Sequence, residues 1–315
     1  MSLLDIRDLH IYFRSASNPV EVVSGLNFSI EESEIFGLAG ESGCGKSITA
    51  LSIMGILPRN AFANGQILFK GKDLLTFDEE SKRRLRGNEM SMVFQEPMTS
   101  LNPVLTIGYQ IAEVLVTHRG MSKKDAMDKA VELLNAVKIP SAEVRIKEYP
   151  HQMSGGMRQR VMIAMAIACN PSLLIADEPT TALDVTIQAQ IIDLIQRLRE
   201  ERRMSILFIT HDLGVIAENA SRVAIMYAGK LVELADTSEI FNNPRHPYTI
   251  GLLESIPKGK GAPLKPISGS VPGPEDFPAG CRYAERCTKA VGACTESDTP
   301  FLEISEGHFV RCGLT

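Results

Sequence analysis

The sequence lacks both a long apolar run and a strong charge imbalance. No uninterrupted apolar stretch in its 315 residues approaches the roughly 20 that cross a bilayer. The net charge of −5 provides no general attraction to nucleic acid or anionic lipid. The first residues, MSLLDIRDLHIYF, carry early charges and alternate as a strand does, unlike a signal peptide. We therefore expect a cytoplasmic chain that neither spans a membrane nor binds nucleic acid.

Cysteine is scarce until the last part of the chain. Cys44 and Cys169 are scattered, whereas four more crowd together near the end: Cys281, Cys287, Cys294 and Cys312. In a reducing cytoplasm such a cluster favours a metal site over disulfides. The spacing C-x5-C-x6-C-x17-C lacks the tight C-x2–4-C pair with which structural zinc usually begins. Four widely spaced thiolates suit a [4Fe–4S] cluster better, with zinc, unligated cysteines and disulfides as the alternatives.

Residues 40–47, GESGCGKS, match the phosphate-binding pattern G-x-x-x-x-G-K-[ST] at every fixed position. The glycines let consecutive backbone N–H groups turn toward phosphate oxygens. Lys46 supplies a positive charge for the β- and γ-phosphates, and the Ser47 hydroxyl is a Mg²⁺ ligand. The apolar run 35–40 predicts a buried strand, and 47–57 predicts a helix whose N-terminus faces the nucleotide. The predicted nucleotide contacts in this loop are Gly40, Ser42, Gly43, Cys44, Gly45, Lys46, Ser47 and Ile48.

The order of apolar patterns predicts an α/β fold. Strand-like runs before the loop predict an antiparallel β-layer, and apolar residues at i, i+3, i+4 and i+7 predict helices from about 104 to 150. Strands and helices then alternate, as in a mainly parallel sheet flanked by helices. We expect an ATPase domain over 1–256 with a helical subdomain at about 96–160. A small cysteine-rich C-terminal extension would occupy 257–315, with a Pro/Gly linker and a four-cysteine metal-binding region. It has too few apolar residues to form a core of its own.

Six further segments, taken with the loop, resemble the ATP-binding-cassette (ABC) family. They are MSGGMRQR at 153–160, similar to the LSGGQ signature; LLIADEP at 173–179; TALD at 181–184, similar to the D-loop; Gln95 in VFQEP; His211 in ITHD; and the aromatic pair in LHIYF. Met153 and Met157 replace the usual Leu and Gln of the signature, but neither supplies the anion-binding groups. The resemblance implies the P-loop NTPase fold of ABC nucleotide-binding domains, together with ATP and Mg²⁺.

The acidic pair after the apolar strand has a chemical role that its residues suggest directly. Asp177, at the strand end, can hold the Mg²⁺ shell through water, and Glu178 can orient or deprotonate the attacking water. Ser154, Gly155 and Gly156 open a predicted helix, where a hydroxyl, free N–H groups and the helix dipole favour an anion. The resemblance implies that this anion is the γ-phosphate of ATP bound to the opposite subunit.

The remaining site residues follow from the resemblance alone. It implies that His211 contacts the γ-phosphate and that Gln95 ligates Mg²⁺ or water and reports the nucleotide state to the helical insertion. Phe13 is the best match to the aromatic that stacks on adenine, with Tyr12 as the alternative. Asp184 belongs to the D-loop.

The C-terminal residues narrow the resemblance to ATPase subunits of dipeptide, oligopeptide and nickel importers. The matching segments are FNNPRHPYTIGLLESIP, GCRYAERCTKAVGAC and EGHFVRC. Proteins of this group are reported to carry a [4Fe–4S] cluster, whose ligands here would be the four clustered cysteines. His308 would be a partner of a metal ligand or a surface histidine.

The resemblance implies a peripheral protein at the cytoplasmic face of the cell inner membrane. Its partners would be two transmembrane permeases, a second ATPase subunit (identical or homologous) and, indirectly, an extracytoplasmic solute-binding protein. Di- and oligopeptides are the expected cargo, with nickel or another small solute as the alternative. A soluble ABC ATPase of translation or DNA repair would usually show tandem cassettes or a long coiled coil, and neither occurs here. A metal-binding regulatory module with a vestigial ATPase disagrees with the intact Glu178 and His211.

Overall fold

The computed structural model describes residues 2–15, 18–96, 100–181, 183–256 and 266–314. The chain forms two compact units, one made of Met1–Thr76 with Phe208–Thr315 and the other of Phe77–Leu207. The start of the predicted linker, 257–265, lies outside the described residues, as do 97–99 of the predicted helical subdomain and Ala182 of the D-loop segment.

The chain begins in unit 1, passes through unit 2 and returns to unit 1. The first stretch of unit 1 contains β1 (Ser2–Phe13), β2 (Val20–Glu31), β3 (Ile35–Ala39), α1 (Lys46–Ile53), β4 (Ala61–Phe69) and β5 (Lys72–Asp73). Unit 2 contains α2 (Glu79–Leu85), β6 (Met90–Val93), α3 (Ile107–Arg119), α4 (Lys123–Ala136), α5 (Ala142–Arg145), α6 (Gly155–Ile167), β7 (Leu173–Asp177) and α7 (Val185–Arg202). Strand β8 (Ser205–Thr210) runs from unit 2 into unit 1. The rest of unit 1 contains α8 (Leu213–Asn219), β9 (Arg222–Tyr227), β10 (Lys230–Asp236), α9 (Thr237–Asn242), α10 (Pro247–Glu254), α11 (Ala293–Glu296), β11 (Leu302–Ser305) and β12 (His308–Val310).

Unit 1 contains the predicted antiparallel β-layer. Strands β1 and β2 pair antiparallel, and this sheet has the order β2-β1-β4-β5. A second group of strands follows the order β11-β12-β10-β9-β3, in which β3 runs parallel to β9. All five residues of β3 are buried, as its continuous apolar sequence predicts. The strand and helix on either side of the phosphate loop are therefore confirmed, although α1 ends at Ile53 instead of 57.

The C-terminal residues share the core of unit 1. Tyr283 packs with Tyr227 and Tyr248, the ring centroids lying 5.2 and 5.3 Å from its own. Strand β12 adds to β10, with Glu233 opposite Val310. We predicted a small cysteine-rich extension with no core of its own, and the structure does not support this description. The tail is apolar-poor when taken alone, but its few aromatic residues complete a cluster that β9 and α10 begin.

Unit 2 contains the helices that the periodicity predicts. Helix α3 starts where the Thr106 side chain accepts a hydrogen bond from Tyr109 N, and it ends at Gly120 in the left-handed region. Helix α4 starts where Ser122 accepts a hydrogen bond from Asp125 N. Strands β6 and β7 run parallel in this unit, with Val93 opposite Ala176.

No helix in the described ranges of the chain is long and apolar enough to cross a membrane. The longest, α7, has 18 residues and ends in the charged run RLREER.

Candidate functional site

The glycines of the phosphate loop are required by space and by backbone conformation. Gly40 has a φ of 154°, and a Cβ there would lie 2.1 Å from the carbonyl oxygen of Met226. Gly45 has a φ of 109°, and a Cβ there would lie 2.7 Å from Cε of Met226. L-residues with a side chain rarely adopt such conformations. The loop therefore lies against Met226 so closely that its fold depends on these two positions.

The lysine of the loop is buried and directed into the loop. Lys46 is 5% exposed, and its Nζ donates hydrogen bonds to the carbonyl oxygens of Gly40 at 2.8 Å and Glu41 at 3.0 Å. Burial raises the pKa of the neighbouring Cys44 thiol, so this cysteine is held as a neutral core group. Ser47 lies in the first turn of α1 with its side chain exposed. The loop places a cation and the N-terminus of a helix on one side of the strand–helix turn, which suits a polyphosphate.

The acidic pair stands at the end of β7 in unit 2. Asp177 closes the strand and is 4% exposed. Glu178 follows with a φ of 45°, the left-handed region in which a residue with a side chain is strained. Its Oε2 accepts hydrogen bonds from Nε2 of Gln95 at 3.0 Å and from Oγ1 of Thr181 at 2.8 Å. The predicted Gln95 and Glu178 thus come together through a direct contact between residues 83 positions apart.

The signature residues open helix α6, as predicted. Ser154 is its N-cap and accepts a hydrogen bond from Met157 N at 3.4 Å, while Ser154 and Gly155 remain exposed. A Cβ at Gly156 would lie 2.8 Å from Cγ2 of Ile187 on α7. Asp184 caps α7 by accepting a hydrogen bond from Ile187 N at 3.0 Å. The signature and the D-loop therefore meet at Ile187 within unit 2.

The switch histidine and the aromatic candidates lie in unit 1. His211 follows β8 with an exposed side chain, and the next residue, Asp212, caps α8. Tyr12 stacks on Phe62 with ring centroids 5.2 Å apart. Phe13 is half-buried and lies on the opposite face of β1, because successive strand residues alternate. The Tyr12 ring is thus already stacked within the sheet. Phe13 is therefore the better candidate to stack on a nucleotide base.

The four C-terminal cysteines line one small cavity together with His246 and Tyr283. All four are free thiols, and burial raises the pKa of Cys281 and of Cys312. Within the described ranges, no three His, Cys, Asp or Glu side chains are placed to hold a metal ion. The described residues therefore give no support to the predicted metal centre, either as a [4Fe–4S] cluster or as zinc. The prediction that His308 lies at the surface is wrong, because it is 2% exposed and its Nε2 lies 2.8 Å from Oε1 of Glu233.

Sequence reasoning missed the residues that hold the phosphate loop from the C-terminal side. Glu41 pairs with Arg286, and its backbone N–H donates to the hydroxyl of Tyr248. Neither partner lies in a nucleotide-binding motif. Tyr248 lies in the HPYT segment and Arg286 in CRYAERC. From the sequence these segments indicate the subfamily, but they do not indicate a contact with the loop.

Comparison with known proteins identifies the family. The ABC transporter family model matches residues 23–181. The chain belongs to the ABC transporter family. A second model, described as the oligopeptide/dipeptide transporter C-terminal region, matches residues 232–294. As a family member with the nucleotide-binding cassette fold, the chain is an ATP hydrolase.

Similar proteins cover nearly the whole chain. The oligopeptide transport ATP-binding protein AppD of Bacillus subtilis is 53% identical, over 99% of this chain and 97% of its own length. The dipeptide transport ATP-binding protein DppD of the same organism is 48% identical, over 99% of this chain and 94% of its own length. Among solved structures, the dimeric ATP-binding cassette MJ0796 bound to ADP and Pi is similar with a TM-score of 0.66. It shares 26% identity with the chain and covers 74% of it, and 98% of the cassette is matched. These matches confirm the predicted ABC fold.

Proposed function

We propose that the chain is the ATP-hydrolysing subunit of a membrane import complex for di- and oligopeptides. The observation that carries this proposal is the match of residues 232–294 to the oligopeptide/dipeptide transporter C-terminal region. Relatives named for oligopeptide and dipeptide transport align over almost their full length and support the same cargo.

We assign the ATP chemistry to the predicted site residues. The phosphate loop would bind the triphosphate, with Lys46 on the β- and γ-phosphates and Ser47 on Mg²⁺. Asp177 would hold the Mg²⁺ shell, and Glu178 would orient or deprotonate the attacking water. The contact between Gln95 and Glu178 supports this role, since the amide holds the carboxylate in one orientation. His211 would contact the γ-phosphate, and Phe13 would stack on adenine.

A second ATPase subunit would complete the site. The exposed Ser154 and Gly155 at the start of α6 offer a hydroxyl and free N–H groups to the γ-phosphate of ATP bound by the other subunit. Closure of two subunits on ATP and their release after hydrolysis would form a two-state switch. The similarity to a dimeric cassette bound to ADP and Pi supports this arrangement.

The helices of unit 2 would contact the permeases at the cytoplasmic face of the inner membrane. Large apolar side chains are exposed around α3 and α5, with Val104 at 76%, Val144 at 68% and Tyr109 at 47%. The turn after α5 is joined to the start of α3, because Gly108 N donates to the carbonyl oxygen of Ile146 at 2.9 Å. Apolar groups left exposed in one region are typical of a protein interface.

The four cysteines around the C-terminal cavity would be the ligands of the iron–sulfur cluster that the sequence predicts. Zinc needs all its sulfur ligands about 2.3 Å from one point, whereas a [4Fe–4S] cluster takes each thiolate on a separate iron. Such a cluster would cross-link the tail segments that carry the cysteines. Anaerobic purification should yield about four iron and four sulfide per chain, and one zinc without sulfide would contradict this assignment.

Substitution of Glu178 tests the hydrolytic assignment. Glu178→Gln should reduce ATP turnover at least 100-fold, because the amide cannot take up a proton, while ATP-driven dimerisation persists. Glu200→Gln, the same change at an exposed position of α7, is the matched control and should retain full activity. Retained hydrolysis in Glu178→Gln would show that another group activates the water.

Association with permeases tests the transport assignment. A tagged full-length chain purified from membranes should bring down two permeases and, after cross-linking, a solute-binding protein. Membrane vesicles that contain the complex should take up a labelled dipeptide when ATP is supplied. Recovery of ribosomes or DNA in place of permeases would refute the transport function, and uptake of nickel without peptide would correct the cargo.

A further inference from the structure

Glu41 lies inside the phosphate loop, yet residues far along the chain hold its backbone N–H and its carboxylate. Its backbone N–H donates to the hydroxyl of Tyr248 at 2.9 Å. Its carboxylate accepts two hydrogen bonds from Arg286, at 2.7 Å from Nη1 and 3.0 Å from Nη2. The phosphate-loop pattern leaves position 41 free, so this attachment is a property of the C-terminal residues and not of the motif.

Arg286 is itself fixed on every side. Its Nε donates to the carbonyl oxygen of Ser268 at 2.8 Å, and its Nη1 also donates to the hydroxyl of Tyr227 at 3.3 Å. The guanidinium lies over the rings of Tyr227 and Tyr283, and its side chain is only 6% exposed. The bond to Glu41 raises the pKa of Arg286. A paired, bidentate and shielded contact of this kind is stronger and less screened than a surface ion pair.

A second connection reaches the loop through the turn between β9 and β10. Gly229 N donates to the carbonyl oxygen of Cys44 at 2.8 Å. Nη1 of Arg282 donates to the carbonyl oxygen of Ala228 in the same turn. A Cβ at Gly229 would lie 2.2 Å from the carbonyl oxygen of Val22, so the turn requires glycine at this position. The C-terminal segment therefore contacts the phosphate loop directly at Glu41 and indirectly at Cys44.

We propose that Arg286 and Tyr248 are positioning residues for ATP binding. Tyr248 holds the backbone at Glu41, so the following N–H groups keep the orientation in which they can face the triphosphate. Arg286 neutralises and anchors the Glu41 carboxylate, which would otherwise place a negative charge beside the phosphates. The inference rests on ATP binding by the phosphate loop and is independent of the transported solute.

Nucleotide binding to the full-length chain tests the proposal. With Mg²⁺ and a fluorescent ADP analogue, Arg286→Ala should raise Kd about tenfold, since it frees a unit charge within roughly one Debye length of the phosphates. Adding Glu41→Gln should restore most of the affinity, because the freed charge is then absent. Arg286→Lys should be intermediate, because it keeps the charge and loses the bidentate contact. Tyr248→Phe keeps the ring and should raise Kd about threefold.

Steady-state kinetics separate positioning from catalysis. Arg286→Ala should raise KM for ATP by the same factor as Kd and leave kcat within about twofold. The matched control is Arg311→Ala, a change in the same tail. Arg311 donates to the carbonyl oxygens of Leu231 and Thr299, neither of which belongs to the phosphate loop. This control should leave Kd within about twofold.

Several results would overturn the proposal. They are an unchanged Kd in Arg286→Ala, a loss that Glu41→Gln does not recover, and an equal loss in Arg311→Ala. If Arg286→Ala does not fold, unchanged Kd values in both Arg286→Lys and Tyr248→Phe would overturn it equally. Failure of the unmodified chain to bind nucleotide would instead refute the assignment of the phosphate loop.

Discussion

Replacing His308 should loosen the last strand of unit 1 by an amount that the structure allows us to estimate. Glu233 is completely buried, and its carboxylate accepts hydrogen bonds from Arg245 N at 2.7 Å, His246 N at 2.9 Å and His308 Nε2 at 2.8 Å. His308→Ala removes one of these three donors. It also leaves a space where the imidazole was packed.

The expected cost is about 3 kcal/mol. A hydrogen bond to a charged group contributes roughly 1.5–3 kcal/mol. Two backbone donors remain on Glu233, and the space left by the imidazole adds a packing cost, so we take the upper end of this range. His308→Gln can still donate to the carboxylate and should recover most of the loss.

Hydrogen exchange of individual segments is the appropriate assay. A single melting temperature is not well defined for a chain with two compact units. If the free energy of local opening of β12 falls by about 3 kcal/mol, its amides should exchange about 100-fold faster. Segments of unit 2, such as α4, should not change. Unchanged exchange in β12, or an effect of His308→Gln as large as that of the alanine variant, would refute the estimate.

Two further predictions concern the nucleotide-binding motifs. Gly40→Ala should abolish binding of a fluorescent nucleotide, because its Cβ would meet the carbonyl oxygen of Met226. Gly43→Ala meets no atom within 4 Å but is strained by the φ of 80°, so it should weaken binding less than Gly40→Ala. Ser154→Ala should cost α6 about 1 kcal/mol and also reduce ATP turnover and dimerisation. Ser122→Ala removes an equivalent cap from α4 and should leave turnover unchanged, so equal losses of turnover would show that Ser154 acts only as a helix cap.

Local sequence predicts the central elements of the fold well. The apolar run that becomes β3 and the periodic segment that becomes α3 and α4 both appear as expected. Each pattern can be read from the residues of the element itself. A strand buried on both faces is apolar throughout, and a helix buried on one face repeats its apolar residues every three to four positions. The Ser154 cap of α6 is predicted for the same reason, since N-capping is a local interaction.

Short elements and long-range contacts could not be predicted in this way. Strands β11 and β12 have four and three residues, too few to show an alternation. His308 is buried because its partner, Glu233, comes 75 positions earlier in the chain. Nothing within EGHFV indicates that partner, so the histidine was expected at the surface or beside a metal. The cysteine spacing likewise predicts a ligand set but cannot place the four thiols around one cavity.

The backbone geometry of the phosphate loop depends on both local and distant residues. Its glycines permit unusual backbone angles but do not select them. At Gly40, with its φ of 154°, the carbonyl oxygen of Met226 occupies the space that a side chain would need. Tyr248 and Arg286 then hold Glu41, the residue that follows. The motif therefore specifies the chemistry of triphosphate binding, while β9, α10 and the C-terminal tail hold its geometry. ATP affinity should accordingly respond to substitutions that alter no motif residue.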